Sequence, residues 1–216
     1  MTRLDLQQQL AALLSQAAPV GDGQVSQARY FKFPPAFLEA TIQPTYRLLG
    51  GVLDCAPLRP GDWDLQFDGI PVELDEALHF NRYRALTLQS PVYTELPGFP
   101  LAEYRHFCVE HETACMRAGS YLGKWTNESS IRQFGPAGSP GDLPGRGAPR
   151  WKQRAFYDFL KDAWSLVSSV RVARIAVWDV LETGRGTFTA QEVLRAPEPQ
   201  TGAVLAALIR RRAAQA

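Results

Sequence analysis

The chain has 216 residues, 45% of them apolar, and its charge nearly cancels: 23 Lys and Arg against 22 Asp and Glu, a net +1. This excludes an intrinsically disordered chain and a polybasic, histone-like binder, while local basic patches stay open. No apolar run approaches the roughly 18 residues of a membrane span, no secretory signal is visible, and the odd number of cysteines points to a reducing, cytoplasmic setting rather than a disulfide framework.

Leu4, Leu6, Leu10, Leu13 and Leu14 recur at spacings of three and four. They predict an amphipathic helix over 2–18, a packing or dimerisation element, stopped by Pro19 and Gly21-Asp22-Gly23. A second helix is expected from Pro34-Pro35 to Leu49, closed by Gly50-Gly51, with Pro44 as an internal conflict that should kink or split it. Residues 52–58 read as a short strand.

Trp63-Asp64-Leu65-Gln66-Phe67 alternates, Asp68-Gly69 suits a type I′ turn, and Ile70-Pro71-Val72-Glu73-Leu74-Asp75 alternates again. This is a β-hairpin signature. The turn sets the pairing: Phe67 opposite Ile70, Leu65 opposite Val72, Trp63 opposite Leu74 on the apolar face, and Asp64 opposite Glu73 on the other. A helix is expected around 101–118. The Gly/Pro-rich stretch 135–150 holds neither helix nor strand. A strong helix follows from Trp151 to about Ser169, with Phe156, Phe159, Leu160, Ala163 and Val167 as its apolar stripe. Arg171 to Leu181 reads as a strand covered on both faces, of the parallel kind. A short strand or turn from Thr187 and a last helix ending in Arg210-Arg211-Arg212 complete the chain. The class is α/β, a mixed central sheet flanked by helices. The organisation expected is an N-terminal helix (1–23), an α/β domain (24–186) with an insertion over about 85–150, and a C-terminal tail (187–216).

Like charges facing each other destabilise a sheet, so Asp64, Glu73 and Asp75 on one hairpin face need compensation. They can face water, pair with arginines, or hold a hard cation through oxygen ligands. Asp64, the short hairpin, Glu73-Leu74-Asp75-Glu76 and His79 together resemble the core of the PD-(D/E)XK nuclease superfamily, most closely its very-short-patch-repair-like branch. The resemblance covers roughly 35–80 and 151–181 and leaves 85–150 as an insertion. It implies a restriction-endonuclease-like fold in which Asp64 and Glu73 bind Mg²⁺ (or Mn²⁺) and the Leu74 carbonyl assists. Asp75 stands where the family usually carries Lys. It is expected to assist catalysis while Lys152, or else Arg154, supplies the missing cation. Glu39, on the preceding helix, matches a position for an auxiliary acid.

His79 could contact a phosphate, serve as acid or base, or be hydrogen-bonded structure. Arg82 and Arg84 flank Tyr83 and could bind phosphate or pair with acids. Arg146, Arg150, Lys152 and Arg154 form a basic cluster uninterrupted by acid between Asp142 and Asp158. Such a cluster suits backbone phosphates, with Trp151 either stacking on a base or packing. Cys108, His111 and Cys115 share a helical face, but His106 does not join them and knuckle spacing is absent, which argues against zinc. Cys55 reads as packing. The expected function is metal-dependent hydrolysis of nucleic acid, DNA first, by a cytoplasmic protein that could dimerise through its N-terminal helix and has no membrane partner. The expected nucleic-acid contacts are His79, Arg82, Arg150 and Arg154. The alternatives are a non-cleaving module of the same fold that binds nucleic acid or protein, and an interaction protein with a Cys/His zinc site.

Overall fold

A computed structural model describes residues 3–17, 31–121, 123–168 and 170–214. Helix α1 (Arg3–Ala17) is followed by α2 (Pro35–Phe37), a π-helical turn (Leu38–Ile42) and α3 (Gln43–Leu48). The hairpin β1 (Leu65–Phe67) and β2 (Ile70–Asp75) comes next, then α4 (Arg82–Thr87), α5 (Leu101–Glu110), α6 (Glu112–Gly119) and α7 (Glu128–Phe134). The long α8 (Pro149–Val167) leads to β3 (Ala173–Ala176), the hairpin β4 (Val180–Thr183) and β5 (Gly186–Thr189), α9 (Ala190–Arg195) and α10 (Thr201–Ala213). The protein is therefore mixed α/β, mostly helical, with small sheets.

The main sheet has the order β1-β2-β3, with β1 antiparallel and β3 parallel to β2. Its register is Leu65 opposite Val72 and Phe67 opposite Ile70, as the turn demands. Asp68 and Gly69 both have positive φ, 51° and 73°, which is the type I′ geometry. Period-two alternation then gives the sheet two unlike faces. Phe67, Val72, Leu74, Ala173 and Ile175 pack against α1, α9 and α10. The opposite face of β2 carries Glu73 and Asp75 toward α8.

Several expectations are corrected. The leucines of α1 (Leu6, Leu10, Leu13 and Leu14) are buried within the chain. The Leu13 carbonyl lies so close to Gly202 of α10 that a Cβ there would sit 2.4 Å from it. That face is covered within the chain, which is the packing role among the two expected of this helix. The expected stop at Pro19 and Gly21–Gly23 lies outside the described residues, as does Ser169. The helix expected to kink or split at Pro44 is split: α2 gives way to a π turn, and Pro44 stands in the first turn of α3. A π turn just upstream passes the Gln43 N–H to the Leu38 carbonyl, shifting the register where proline has no donor to give. Residues 52–58 form no strand, because no strand among the described residues lies beside them. Val52 N–H goes to the Gln133 carbonyl and Ala56 N–H to the Gln43 side chain. Residues 85–150, expected as an insertion, share the larger core, where α4 and α7 pack on α8. The boundary at 186/187 falls inside the β4–β5 hairpin, and α9 and α10 share one core with α1.

Candidate active site

The ladder between β1 and β2 ends at Leu65–Val72, one pair short of Asp64. At that point a side chain takes over from the backbone: Asp64 Oδ2 accepts the Leu74 N–H at 3.0 Å. Because the alternation stops there, Trp63 does not continue the apolar face with Leu65 and Phe67. It turns into the opposite core, stacked with Phe31.

Glu73 is 2% exposed, and its Oε1 accepts from Lys161 Nζ at 2.6 Å. Lys161 also donates to the Asp62 carbonyl at 2.8 Å and lies 5.3 Å from the centre of the Trp63 ring. Burial pushes the Glu73 carboxyl up to about 7; Lys161 and Arg174 oppose the rise and the neighbouring Asp64 adds to it. Asp64, Glu73 and Lys161 therefore form one cluster at the end of the hairpin, with Asp64 the partly exposed member.

Asp75, two residues on, has a different environment. Arg174 of β3 donates to both its oxygens at 2.8 and 2.9 Å, and Tyr104 OH donates to Oδ2 at 2.9 Å. Arg174 also reaches Asp162 at 2.5 Å, and Asp162 in turn accepts from Arg84 and Tyr93. His79 Nδ1 lies 2.8 Å from Asp158 and 3.1 Å from Asp75, and its Nε2 lies 3.2 Å from Glu76. Burial alone would lower this imidazole, but Asp158 and Asp75 outweigh it and raise it to about 9. Burial works against the Asp158 carboxylate, yet His79 and Arg174 hold it well below the usual range. These are closed buried ion pairs. Asp75, expected to assist catalysis, is thus buried and held by Arg174, and His79, expected on a phosphate, as acid or base, or as hydrogen-bonded structure, is buried against Asp158.

The lysine that reaches Glu73 is Lys161, not Lys152. The two lysines stand nine residues apart on α8. At about 3.6 residues per turn that is two and a half turns, which places them on opposite faces. Lys152 lies over the Tyr83 ring instead, 5.5 Å from its centre. Arg154 shares the Lys161 face but sits about two turns away, with Nη1 3.4 Å from the Leu78 carbonyl. Arg82 is exposed and held by Glu112 at 2.8 Å, while Arg150 donates to the Gln153 side chain. Glu39 sits in the π turn ahead of α3. A readable signal did mark Lys161. Asp158, Lys161, Asp162 and Ser165 fall at i, i+3, i+4 and i+7, a buried polar stripe beside the apolar one.

Three side chains, Asp75, His79 and Asp158, bring potential metal-ligating atoms within 4.8 Å of one another, the one such group among the described residues. Arg174 already occupies Asp75 and reaches Asp158 at 3.5 Å, so a cation there would compete with a guanidinium. The residues at 106–115 do not converge. The helix breaks at His111, which stacks on Trp178 at 4.0 Å, and Cys108 and Cys115 are buried in successive helices. No helix among the described residues is long and apolar enough to cross a membrane.

No curated protein and no solved structure matches the chain. A family model does, over residues 44–196, a span that runs from α3 through α9 and takes in Asp64, Glu73, Lys161 and the ion pairs around Arg174. The chain therefore belongs to DUF7255, a family of unknown function.

Proposed function

We propose that the protein is a divalent-metal-dependent hydrolase of nucleic-acid phosphodiesters, built on a restriction-endonuclease-like fold, with Asp64, Glu73 and Lys161 as its working residues. The observation that carries this reading is the 2.6 Å contact between Lys161 Nζ and Glu73 Oε1. It gives each member of an Asp, Glu and Lys motif a counterpart in one cluster, with the lysine supplied from α8 rather than from β2. The element order supports the same reading: a helix, an antiparallel hairpin, then a long helix leading to a strand parallel to β2.

The donor set suits a hard cation, which would share Glu73 with the Lys161 ammonium. It is all oxygen, and Asp64 and Glu73 are close enough for one carboxylate to disfavour ionisation of the other. Asp64 and Glu73 would hold Mg²⁺ or Mn²⁺. When bound, such an ion polarises a phosphoryl group and lowers the pKa of a water. The chain's own contribution is positional. The Leu74 N–H fixes the orientation of the Asp64 carboxylate. The Asp62 carbonyl and the Trp63 ring fix the Lys161 ammonium, so a positive charge stands ready where a phosphoryl oxygen gains negative charge.

One observation favours a second reading, a binding module without cleavage. Asp75, in the position where the superfamily carries lysine, is fully engaged by Arg174 and Tyr104. A panel of labelled DNA and RNA substrates with Mg²⁺ or Mn²⁺, using wild type and Glu73→Gln, decides between the two. Metal-dependent cleavage lost in Glu73→Gln supports the hydrolase. Binding without cleavage, unchanged by the substitution, supports the module.

A further inference from the structure

Arg174 and Lys161 both face the acids of β2, and they are held in unlike ways. Arg174 is fixed from several sides: it donates to both oxygens of Asp75, to Asp162 at 2.5 Å and to the Asp158 carbonyl at 3.0 Å. Its planar fork cannot leave one of these partners without disturbing the others. Among the described residues Lys161 has one charged partner, Glu73 at 2.6 Å. Its other contacts are neutral, the Asp62 carbonyl at 2.8 Å and the Trp63 ring, whose centre lies 5.3 Å away. A lysine head is a compact charge on a flexible four-carbon stem. It can give up Glu73 and still be held by a carbonyl and an aromatic face.

The pair is also closed to water. Glu73 is 2% exposed and Lys161 6%, whereas Asp64 is partly exposed and Asp62 lies at the surface. A cation arriving from solvent meets Asp64 first and finds a Glu73 oxygen taken by an ammonium. Sharing one buried carboxylate sets an ammonium and a divalent ion against each other, with little water between them to screen the repulsion. The divalent ion has the stronger claim. It carries twice the charge, and Asp64 supplies a second carboxylate near Glu73.

We propose that Lys161 is a resident counter-ion that gates the site: its ammonium holds Glu73, yields that carboxylate to a divalent cation, and stays on the Asp62 carbonyl and the Trp63 ring. This rests on the hydrolase reading and adds regulation to it. While Lys161 is tied to Glu73 its charge is spent on that carboxylate. Once released, it is free to face a phosphoryl oxygen. The cation therefore binds before the phosphate group of the substrate.

The test uses the full chain and Mg²⁺ alone. Lysine ammonium groups are followed by NMR on protein labelled with nitrogen-15 lysine, and the Lys161 signal is assigned by its absence from Lys161→Met. Calorimetry gives the Mg²⁺ affinities of wild type, Lys161→Met and Glu73→Gln. In wild type the Lys161 ammonium protons are expected to exchange with water about tenfold faster, or more, once Mg²⁺ is saturating. Lys161→Met is expected to bind Mg²⁺ about tenfold more tightly, or more, because the competing charge is gone. Glu73→Gln is expected to lose binding. Mg²⁺ that binds wild type without changing the exchange of the Lys161 ammonium overturns the gate and leaves the hydrolase reading standing, even if Lys161→Met binds more tightly through simple loss of repulsion. An affinity of Lys161→Met no higher than that of wild type overturns the gate as well. Mg²⁺ that binds neither protein, or that binds Glu73→Gln as it binds wild type, overturns both the gate and the metal site assigned to Glu73. If Lys161→Met does not fold, Lys161→Arg serves for the assignment and the exchange rate in wild type decides.

Discussion

Lys161 and Glu73 meet at 2.6 Å although 88 residues separate them in the chain. The contact joins α8 to β2 and draws the acidic hairpin into one site with a lysine. Both partners are buried, so removing either leaves an uncompensated charge, a loss of roughly 3–5 kcal/mol for a buried pair. Lys161→Met is therefore expected to melt below wild type, and Lys161→Met combined with Glu73→Gln to recover part of the difference. Denaturant unfolding of the two singles and the double in one cycle measures this; purely additive losses would mean that the pair is not coupled.

Asp75 gives a sharper contrast. Restoring the superfamily's lysine by Asp75→Lys would set an ammonium against Arg174 and leave Tyr104 OH without its acceptor. The variant is expected to be strongly destabilised, by roughly 3–5 kcal/mol or more, and to gain no activity. Asp75→Asn is expected to cost less. A stable, more active Asp75→Lys protein would show that the network around Arg174 is dispensable.

His79 makes stability depend on pH. It faces Asp75 of β2, Glu76 and Asp158 of α8, with Arg174 and Tyr104 bound to the same Asp75. Its folded value, about 9, lies above the roughly 6.5 of an unfolded imidazole. A raised value means that the folded state holds the proton more tightly. The contribution is complete below about pH 6.5 and is lost as pH rises through about 9, on the order of 3 kcal/mol in all. Urea unfolding at pH 6, 8 and 10 should show this fall in wild type and a flatter profile in His79→Gln. Parallel profiles would contradict the assignment.

The cysteines should separate by burial. Cys55 is exposed, while burial pushes the Cys108 and Cys115 thiols up to about 12. Native protein is expected to react with Ellman's reagent at Cys55 alone, and at all of its cysteines once unfolded. A chelator should not change the native result. Chelator-dependent exposure of further thiols would revive a zinc site.

The legible parts of this fold were the local ones. Alternation and Asp68-Gly69 set the hairpin register, and an apolar stripe marked α8. The strand after α8 could be read as parallel because both of its faces are covered, but it ends at Ala176, and a turn separates it from β4 where one strand to Leu181 was expected. What escaped was non-local. Whether residues 52–58 pair depends on a partner strand, and none lies beside them among the described residues. The direction of Trp63 depends on where the ladder stops. In the candidate site, the nearness of Asp64 to Glu73 could be read from the hairpin pairing. The role of Asp75 could not, because Arg174 and Tyr104 come from elements far along the chain. Lys161 was hidden for the opposite reason: a lysine inside an amphipathic helix reads as solvent-facing until its neighbours Asp158, Asp162 and Ser165 are seen to share its face.

The most direct test of the central claim is metal-dependent cleavage by wild type, Lys161→Met and Asp75→Asn side by side, below the melting point of each. Cleavage by wild type and by Asp75→Asn, with at least a hundredfold loss in Lys161→Met, is the expected outcome and would place the working cation on α8. Cleavage that survives in Lys161→Met but fails in Asp75→Asn, or a wild type that cleaves nothing, would contradict it.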